Sequence, residues 1–291
     1  MKRRALLLFL AMCLIWGIPY LFIRIAVGEL SPFVLVFART SIGMLILLPI
    51  ALSRGAMRGL AKYWPPLLAF AAVEIGIPWV LMSHSEQSIS SSLAGLLVAA
   101  VPLVGVVIAT VRGNREHLGL ASVSGLLLGV AGVAAIVGLD FKALNWIALL
   151  EMGVVVVCYA GGPAILARYL SGLPSVGVMA ASLTVLTIAY APVAALQWPH
   201  SLPSLPVLVS VAVLAVVCTA LGFLLFFALV AEIGPVRSTV ITYVNPAVAA
   251  VRSDLIVLQE RFTAGMAAGF VLVVLGSILA TRRRPTRSID S

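Results

Sequence analysis

Long apolar runs dominate the chain and alternate with short connections rich in Gly, Pro, Ser and charge. The runs predict ten helical spans, at 5–26, 32–52, 64–83, 87–110, 119–139, 146–167, 174–196, 207–230, 235–257 and 263–281. Each run is long enough to cross a hydrocarbon core of about 30 Å as a helix. A membrane barrel would instead alternate polar and apolar residues. The pattern therefore predicts an all-α polytopic membrane protein with ten transmembrane helices.

The composition points to the same class. Of 291 residues, 62% are hydrophobic and 10% are charged, whereas soluble domains average about 45–50% and about 25%. This excludes a soluble enzyme, a disordered chain and a disulfide scaffold. The three cysteines, Cys13, Cys158 and Cys218, lie inside apolar runs without metal-type spacing. We expect them to be buried hydrophobes, and we expect neither a metal nor a cofactor.

Basic residues predict the orientation. With the N-terminus in the cytoplasm, fourteen Lys and Arg residues fall on cytoplasmic segments and at most four on the outside. This positive-inside bias predicts that both termini are cytoplasmic. The first apolar run is longer than a signal-peptide core and lacks a small-residue cleavage site, so we expect it to be retained. The charges form no stripe interleaved with aromatics, so we expect a lipid bilayer and no nucleic acid as partner.

A shift of 144 positions aligns the two halves of the chain. Nine identical pairs coincide: Gly17/Gly161, Pro19/Pro163, Arg24/Arg168, Gly28/Gly172, Ser31/Ser175, Pro102/Pro246, Glu116/Glu260, Gly125/Gly269 and Gly132/Gly276. Chance would give about one glycine pair rather than four, so we infer an internal repeat. The predicted repeats are residues 1–144 (the first half) and residues 145–291 (the second half, with a basic cytoplasmic tail).

Each half holds five predicted spans. Because five is odd, the second half enters the membrane from the opposite side, which makes an inverted repeat. Two such halves enclose a central cavity and rock against each other in the usual route to alternating access. The alternative is a duplication kept only for packing.

Helix-breaking residues occupy matching places in the two halves. The pairs are Gly17/Gly161, Pro19/Pro163 and Pro102/Pro246. Proline removes a backbone hydrogen bond and glycine permits a bend, so we predict breaks in the first and sixth spans and a second matched pair in spans four and nine. Broken helices at matching positions indicate a binding site, and ordinary kinks are the alternative.

Two ionisable residues lie deep in predicted spans. Glu74 is near the middle of span three, where an ion costs roughly 2.5–3.5 kcal/mol. It should face a wet cavity, pair with a cation or carry a proton. Arg39, about two turns below the outer surface on span two, is the candidate partner. A structural ion pair and a substrate or proton site both stay open.

Aromatic and hydroxyl side chains supply further candidates for the cavity wall. They are Trp16 and Tyr20, which share a helix face, with Trp79, Tyr159, Tyr190, Tyr243, Ser88 and Ser92. Packing against lipid, core or a neighbouring helix is the alternative for each. The motifs Gly125-x-x-x-Gly129 and Gly265-x-x-x-Gly269 predict close helix packing and a candidate dimer face, so we expect a monomer or a weak homodimer.

Short motifs recur in order along both halves. The first half carries Ile15-Trp16-Gly17, Arg39, and Pro102 followed by Glu116; the second carries Tyr243-Val244-Asn245-Pro246-Ala247-Val248 and then Glu260-Arg261. Over nearly the whole chain this pattern resembles the EamA-type branch of the drug/metabolite transporter superfamily. Two features depart from it. Arg115 and Gln259 stand where the family usually has Gly, and Arg252-Ser253-Asp254 interrupts a span that the family keeps apolar.

The resemblance implies ten spans in two inverted halves and export of amino acids, drugs, vitamins or nucleotide derivatives. Within the family, the chain is most similar to bacterial amino-acid exporters, including the aromatic amino-acid type. The resemblance implies a cavity lined by spans one, three, four, six, eight and nine. This places eight residues in the candidate substrate site: Trp16, Glu74, Trp79, Ser88, Ser92, Tyr159, Tyr243 and Asn245.

The sequence thus predicts an exporter of small metabolites, above all amino acids, in a bacterial inner membrane, with protons as a candidate coupling ion. Export of other small molecules is one alternative. An intramembrane enzyme or a membrane scaffold is another. The chain contains no His-Glu-x-x-His, no Gly-x-Ser-x-Gly and no intramembrane aspartate pair, which argues against the enzyme. A scaffold leaves the matched helix breaks unexplained.

Overall fold

The computed structural model describes residues 3–111, 120–137, 145–233, 241 and 264–281. Every regular element in these residues is a helix. The α-helices are α1 Arg3–Ile15, α2 Pro19–Ala26, α3 Pro32–Ser53, α4 Trp64–Phe70, α5 Ile77–Ser85, α6 Ser91–Val98, α7 Val101–Val111, α8 Leu120–Val137, α9 Trp146–Ile165, α10 Ser175–Leu196, α11 Leu205–Ala212, α12 Gly222–Ile233 and α13 Ala264–Thr281. A 3-10 turn spans Leu60–Tyr63, and π-helical segments span Ala71–Gly76, Leu166–Leu170 and Val213–Leu221.

Seven helical stretches of this part of the chain are long and apolar enough to cross a membrane. They are Arg3–Ala26, Pro32–Ser53, Leu60–Ser85, Ser91–Ile108, Trp146–Leu170, Ser175–Leu196 and Leu205–Ile233. Two further helical stretches, Val123–Ile136 and Ala264–Leu279, are also apolar but shorter. These stretches coincide with nine predicted spans, so the protein is a polytopic helical membrane protein. Span nine, with Tyr243, Asn245 and Pro246, lies outside the described residues, and the count of ten stays a prediction.

Side-chain caps fix where several spans begin. The Ser31 hydroxyl accepts a hydrogen bond from the amide of Val34 at 3.3 Å, and Pro32 opens α3. The Ser90 hydroxyl and the Asn145 side chain cap α6 and α9 in the same way, at 3.1 Å each. Such caps satisfy amides that the first helical turn leaves without an intrahelical partner.

The first span is interrupted at the predicted place. Helix α1 ends at Ile15 and α2 begins at Pro19, with Gly17 in the break. The fourth predicted span is also interrupted, between Val98 and Val101, and Pro102 is the second residue of α7. In both places the proline lies in the first turn of the following helix, where its missing N–H has no intrahelical acceptor to lose.

The predicted break in the sixth span is wrong. Helix α9 continues through Gly161 and Pro163 to Ile165. One proline removes a single backbone hydrogen bond, which neighbouring helices and local adjustment compensate in a membrane protein. The irregular backbone appears only after the proline, in the π-helical segment Leu166–Leu170.

Four antiparallel helix contacts join the first half to the second. In α3/α10, Gly177 near the start of α10 touches Ala56 beyond the end of α3, while Phe33 near the start of α3 packs on Tyr190 at 6.0 Å between ring centroids. In α1/α12, Arg4 pairs with Glu232 at 3.2 Å. The opposite ends of α1 and α12 also meet, where the Trp16 and Phe223 rings lie 5.6 Å apart.

The α8/α13 contact is a close approach of two backbones. A Cβ added to Gly132 would lie 2.7 Å from the Gly269 carbonyl oxygen, and one added to Gly276 would lie 2.6 Å from the Gly125 carbonyl oxygen. Only glycine fits such contacts. The glycine faces are thus used inside the chain, which corrects the prediction of a dimer face there. The oligomeric state stays a prediction.

The fourth contact, α5/α9, carries polar links at one end of the bundle. His84 Nδ1 lies 2.7 Å from Glu151 Oε1, and the Ser85 hydroxyl donates to Glu151 Oε2 at 3.0 Å. A separate contact joins the turn after α2 to the start of α11, where the Ser204 amide donates to Glu29 Oε2 at 2.7 Å. These hydrogen bonds from Ser204 hold the pKa of Glu29 below its ordinary value. Both sets of contacts connect the first half to the second.

Candidate functional site

Two π-helical segments lie at matching positions of the halves. Adding 144 to Ala71–Gly76 gives 215–220, which falls inside Val213–Leu221. A π turn widens the helix locally and is often found at functional sites. Glu74 lies in the first segment and contacts Gly162 of α9. Cys218 and Thr219 lie in the second segment and accept hydrogen bonds from Trp16 and Arg39. The break at Gly17 in the first span lies against the second of these segments.

Arg39 is the buried cation of this region, with 7% of its surface exposed. Its guanidinium carbon lies 3.4 Å from the centroid of the Trp79 ring, which is a cation–π contact. Its Nε donates to the Thr219 hydroxyl at 2.8 Å. That hydroxyl donates in turn to the Leu214 carbonyl at 2.8 Å. A first-half arginine is therefore held by Trp79 of its own half and Thr219 of the other.

Glu74 does not pair with Arg39, so the candidate ion pair is wrong. Ion pairs in the described part of the chain join Arg4 to Glu232 and His84 to Glu151, and neither pair involves Glu74 or Arg39. The Glu74 carboxylate lies against Gly162 of α9, where an added Cβ would overlap it. Its Oε2 is buried with no hydrogen-bond partner in the described structure. A buried polar atom left in this way costs about 1–3 kcal/mol, so Glu74 is a candidate functional residue.

Tyr159 is close enough to Arg39 and Glu74 to be coupled to both. Its hydroxyl interacts electrostatically with both Arg39 and Glu74, and it also contacts Trp79. Tyr20, in the first turn of α2, is 6% exposed and interacts with both Tyr159 and Arg39. The structure thus brings together five predicted site residues: Tyr20, Arg39, Glu74, Trp79 and Tyr159. We call these five, with Thr219 and Gly162, the central cluster.

Trp16 joins the edge of the central cluster through a backbone contact. The π turn places the Gly222 amide on the Val217 carbonyl, and the Cys218 carbonyl accepts a hydrogen bond from the Trp16 indole at 3.1 Å. The Trp16 ring also packs on Phe226 at 4.8 Å between centroids. This hydrogen bond ties the break in the first span to the irregular helix of the second half.

The remaining predicted residues lie elsewhere. Ser88 is exposed in the turn after α5, so it does not join the central cluster. Ser92 is buried in the first turn of α6, a helix that contacts α2 and α9. Pro163 faces outward from α9, whereas Gly161 lies near Val73. Tyr243 and Asn245 lie outside the described residues.

Thr219 and Gly162 are site residues that the sequence reading missed. Thr219 lies in an apolar run, and hydropathy gives it no weight. One signal was available, because Cys218 and Thr219 stand 144 positions after Glu74 and Ile75. Gly162 stands in a motif that predicts a kink, whereas in the structure its missing side chain makes room for the Glu74 carboxylate.

Three residues of the central cluster are buried in the described structure. Arg39, Trp79 and Tyr20 are 7%, 5% and 6% exposed and contact their neighbours directly. Two pockets lie elsewhere: one of about 410 Å³ beside Arg54 and Arg58, and one of about 560 Å³ along the start of α1. Most of the central cluster is therefore buried, while Glu74 and Tyr159 keep part of their surface exposed.

Comparison with known proteins gives concordant matches. The sequence model of the EamA-like transporter family matches twice, over residues 3–138 and 146–282. The uncharacterized transporter YvbV of Bacillus subtilis (strain 168) is 28% identical over 97% of this chain and 93% of its own length. The uncharacterized inner membrane transporter YedA of Escherichia coli (strain K12) is 27% identical over 82% and 78%. One crystal structure, 21% identical, superposes on 97% of both chains with a TM-score of 0.68 and supports the fold alone.

Proposed function

Because the chain belongs to the EamA-like transporter family, it is a multi-pass membrane transporter, and we propose that it exports small metabolites, above all amino acids. The observation that carries the substrate class is the pair of unpaired opposite charges in the central cluster. In the described structure the Arg39 side chain and the Oε2 atom of Glu74 are buried in this cluster, yet the two residues form no ion pair with each other. A solute that carries both charges satisfies both residues.

An amino acid fits this arrangement chemically. Its carboxylate matches the guanidinium of Arg39, and its ammonium group matches the Glu74 carboxylate. Trp79, Tyr159 and Tyr20 of the same cluster offer flat apolar surfaces with polar tips. Aromatic amino acids are therefore the first candidates within the class.

We further propose that transport proceeds by alternating access between two inverted repeats. Three observations support this. The family model matches each half once. The π-helical segments in Ala71–Gly76 and Val213–Leu221 correspond under the shift of 144. The helix contacts correspond as well. In α3/α10 and α8/α13 each helix contacts its own equivalent in the other half. The shift of 144 relates α1 to α9 and α5 to α12, so the α1/α12 contact is equivalent to the α9/α5 contact. All four contacts are antiparallel, as inversion requires.

The largely buried central cluster fits one state of such a cycle. It opens toward one side when the halves separate at that end and toward the other side when they separate at the opposite end. Protons are the candidate coupling ion, with Glu74 as their carrier. We place the protein in the bacterial inner membrane with both termini in the cytoplasm, on the basis of the basic residues of the cytoplasmic connections.

Counterflow in proteoliposomes tests the proposal. Vesicles loaded with unlabelled amino acid should accumulate the labelled amino acid transiently, and protein-free vesicles should not. A panel of amino acids, vitamins, nucleotide derivatives and drugs separates the substrate classes. Exchange of another class but of no amino acid would contradict the amino-acid assignment, and exchange of nothing would favour the enzyme or scaffold alternative.

A further inference from the structure

The guanidinium of Arg39 is fixed in place, but only part of it is used. Trp79 covers one face and Thr219 accepts from Nε. In the described part of the chain, the terminal nitrogens Nη1 and Nη2 make no hydrogen bond. A guanidinium held by its Nε edge and one face presents its two terminal nitrogens as a fork, which matches a carboxylate in bidentate geometry.

Among the residues that the structure describes, no carboxylate pairs with this fork. The titratable groups of the described residues that interact with Arg39 are Cys218, Tyr159 and Tyr20. Thiols and phenols are neutral at ordinary pH. A buried charge without a counter-ion is costly, and an anionic group of the solute would remove that cost.

We propose that Nη1 and Nη2 of Arg39 bind the substrate carboxylate and that Thr219 is the positioning residue that holds the guanidinium for this contact. The proposal rests on the function proposed above and deepens it, because it states which group of the solute is recognised and by which atoms. It predicts that a solute without a carboxylate is a poor substrate.

The position of Thr219 links binding to the arrangement of the halves. Thr219 belongs to the second half, whereas Arg39 and Trp79 belong to the first. Gly43, one turn after Arg39 on α3, permits this approach, since an added Cβ would lie 3.1 Å from Thr219 Cγ2. The fork is therefore complete only while α3 and the π segment Val213–Leu221 remain in contact, so movement of the halves weakens the hold on the carboxylate.

The test compares acids with their amides. Thermal stabilisation and competition in counterflow are measured for L-phenylalanine, L-leucine and phenylacetate and for the amide of each. In the parent protein at least one acid should act about tenfold to hundredfold more strongly than its amide, the range expected for charge-assisted hydrogen bonds. Arg39→Lys keeps the charge but removes the fork, so it should reduce the preference without reversing it.

Thr219→Val removes the hydroxyl with little change of shape and should reduce the acid preference at least tenfold, whereas Thr219→Ser should retain it. Thr184→Val is the matched control, because the Thr184 hydroxyl bonds only the Ala180 carbonyl of its own helix at 2.8 Å. A general loss of folding would lower the response to acids and amides alike.

Acids that never act more strongly than their amides, including acids without any effect, would overturn the assignment of Arg39. An unchanged preference in Thr219→Val would overturn the role of Thr219. The proposed function fails separately, through absence of counterflow for every solute. Counterflow without acid preference would leave the transporter in place and remove only this inference.

Discussion

Replacing Gly162 with alanine perturbs the contact between Glu74 and α9. The new Cβ would overlap Oε2 of Glu74 and lie 3.0 Å from its Cδ and 3.1 Å from its Cβ. The whole Glu74 side chain must therefore move, rather than its flexible tip alone. Gly153 on the same helix provides a matched control, because nothing lies within 4 Å of a Cβ added there.

The expected magnitudes have opposite signs at the two positions. Alanine favours a helix over glycine by about 1 kcal/mol at either position. At Gly162 the extra methyl also enters a filled contact, which costs about 1–3 kcal/mol. We expect Gly153→Ala to be slightly more stable than the parent protein, and Gly162→Ala to be about 1–3 kcal/mol less stable than Gly153→Ala.

Thermal unfolding in detergent measures the stability difference, and counterflow measures the effect on the site. Gly162→Ala should lose most of its transport while inserting normally into the membrane, and Gly153→Ala should transport like the parent protein. Equal stability and equal transport of the two variants would refute the reasoning, because Glu74 would then not depend on the space at Gly162.

Three further changes test other parts of the account. Glu74→Gln should alter the transport rate or its pH dependence with normal membrane insertion, and an unchanged pH profile would remove Glu74 from the mechanism. Trp16→Ala deletes the indole hydrogen bond to Cys218 and the contact with Phe226, so substrates should compete less well in counterflow; parental behaviour would assign this ring to packing alone. Gly132→Ala should push α8 away from α13, because the added Cβ would lie 2.7 Å from the Gly269 carbonyl oxygen. It should destabilise the protein by about 1–3 kcal/mol, and an unchanged melting temperature would show that the backbones do not approach so closely.

Hydropathy was sufficient to place most of the membrane helices. The apolar runs are long, and caps such as Ser31 and Ser90 set their starts within a few residues of the prediction. The interruption at Gly17 was also predictable from the sequence, because Pro19 follows it and begins α2. Pro163 shows the limit of this reasoning: the same residue types leave α9 continuous when surrounding helices compensate the lost hydrogen bond.

The chemistry of the site was only partly predictable. The sequence identifies Arg39 and Glu74 because charges are rare within apolar runs, but it does not give the distance between them. Arg39 contacts Trp79 and Thr219, whereas Glu74 lies against Gly162. These partners are set by tertiary contacts. The π-helical segments are equally invisible to hydropathy, since one additional residue in a turn leaves the apolar run unchanged.

The most direct test of the central claim is the membrane side on which equivalent positions of the two halves emerge. Ser31 and Ser175 are equivalent under the shift of 144 and lie at the starts of α3 and α10. Each is replaced by cysteine in a variant lacking the three native cysteines and labelled in intact cells with a membrane-impermeant maleimide. Inverted repeats predict that one of the two cysteines is labelled from outside and the other only after the membrane is opened. Labelling of both from the same side would contradict the inverted repeat and the alternating access built on it.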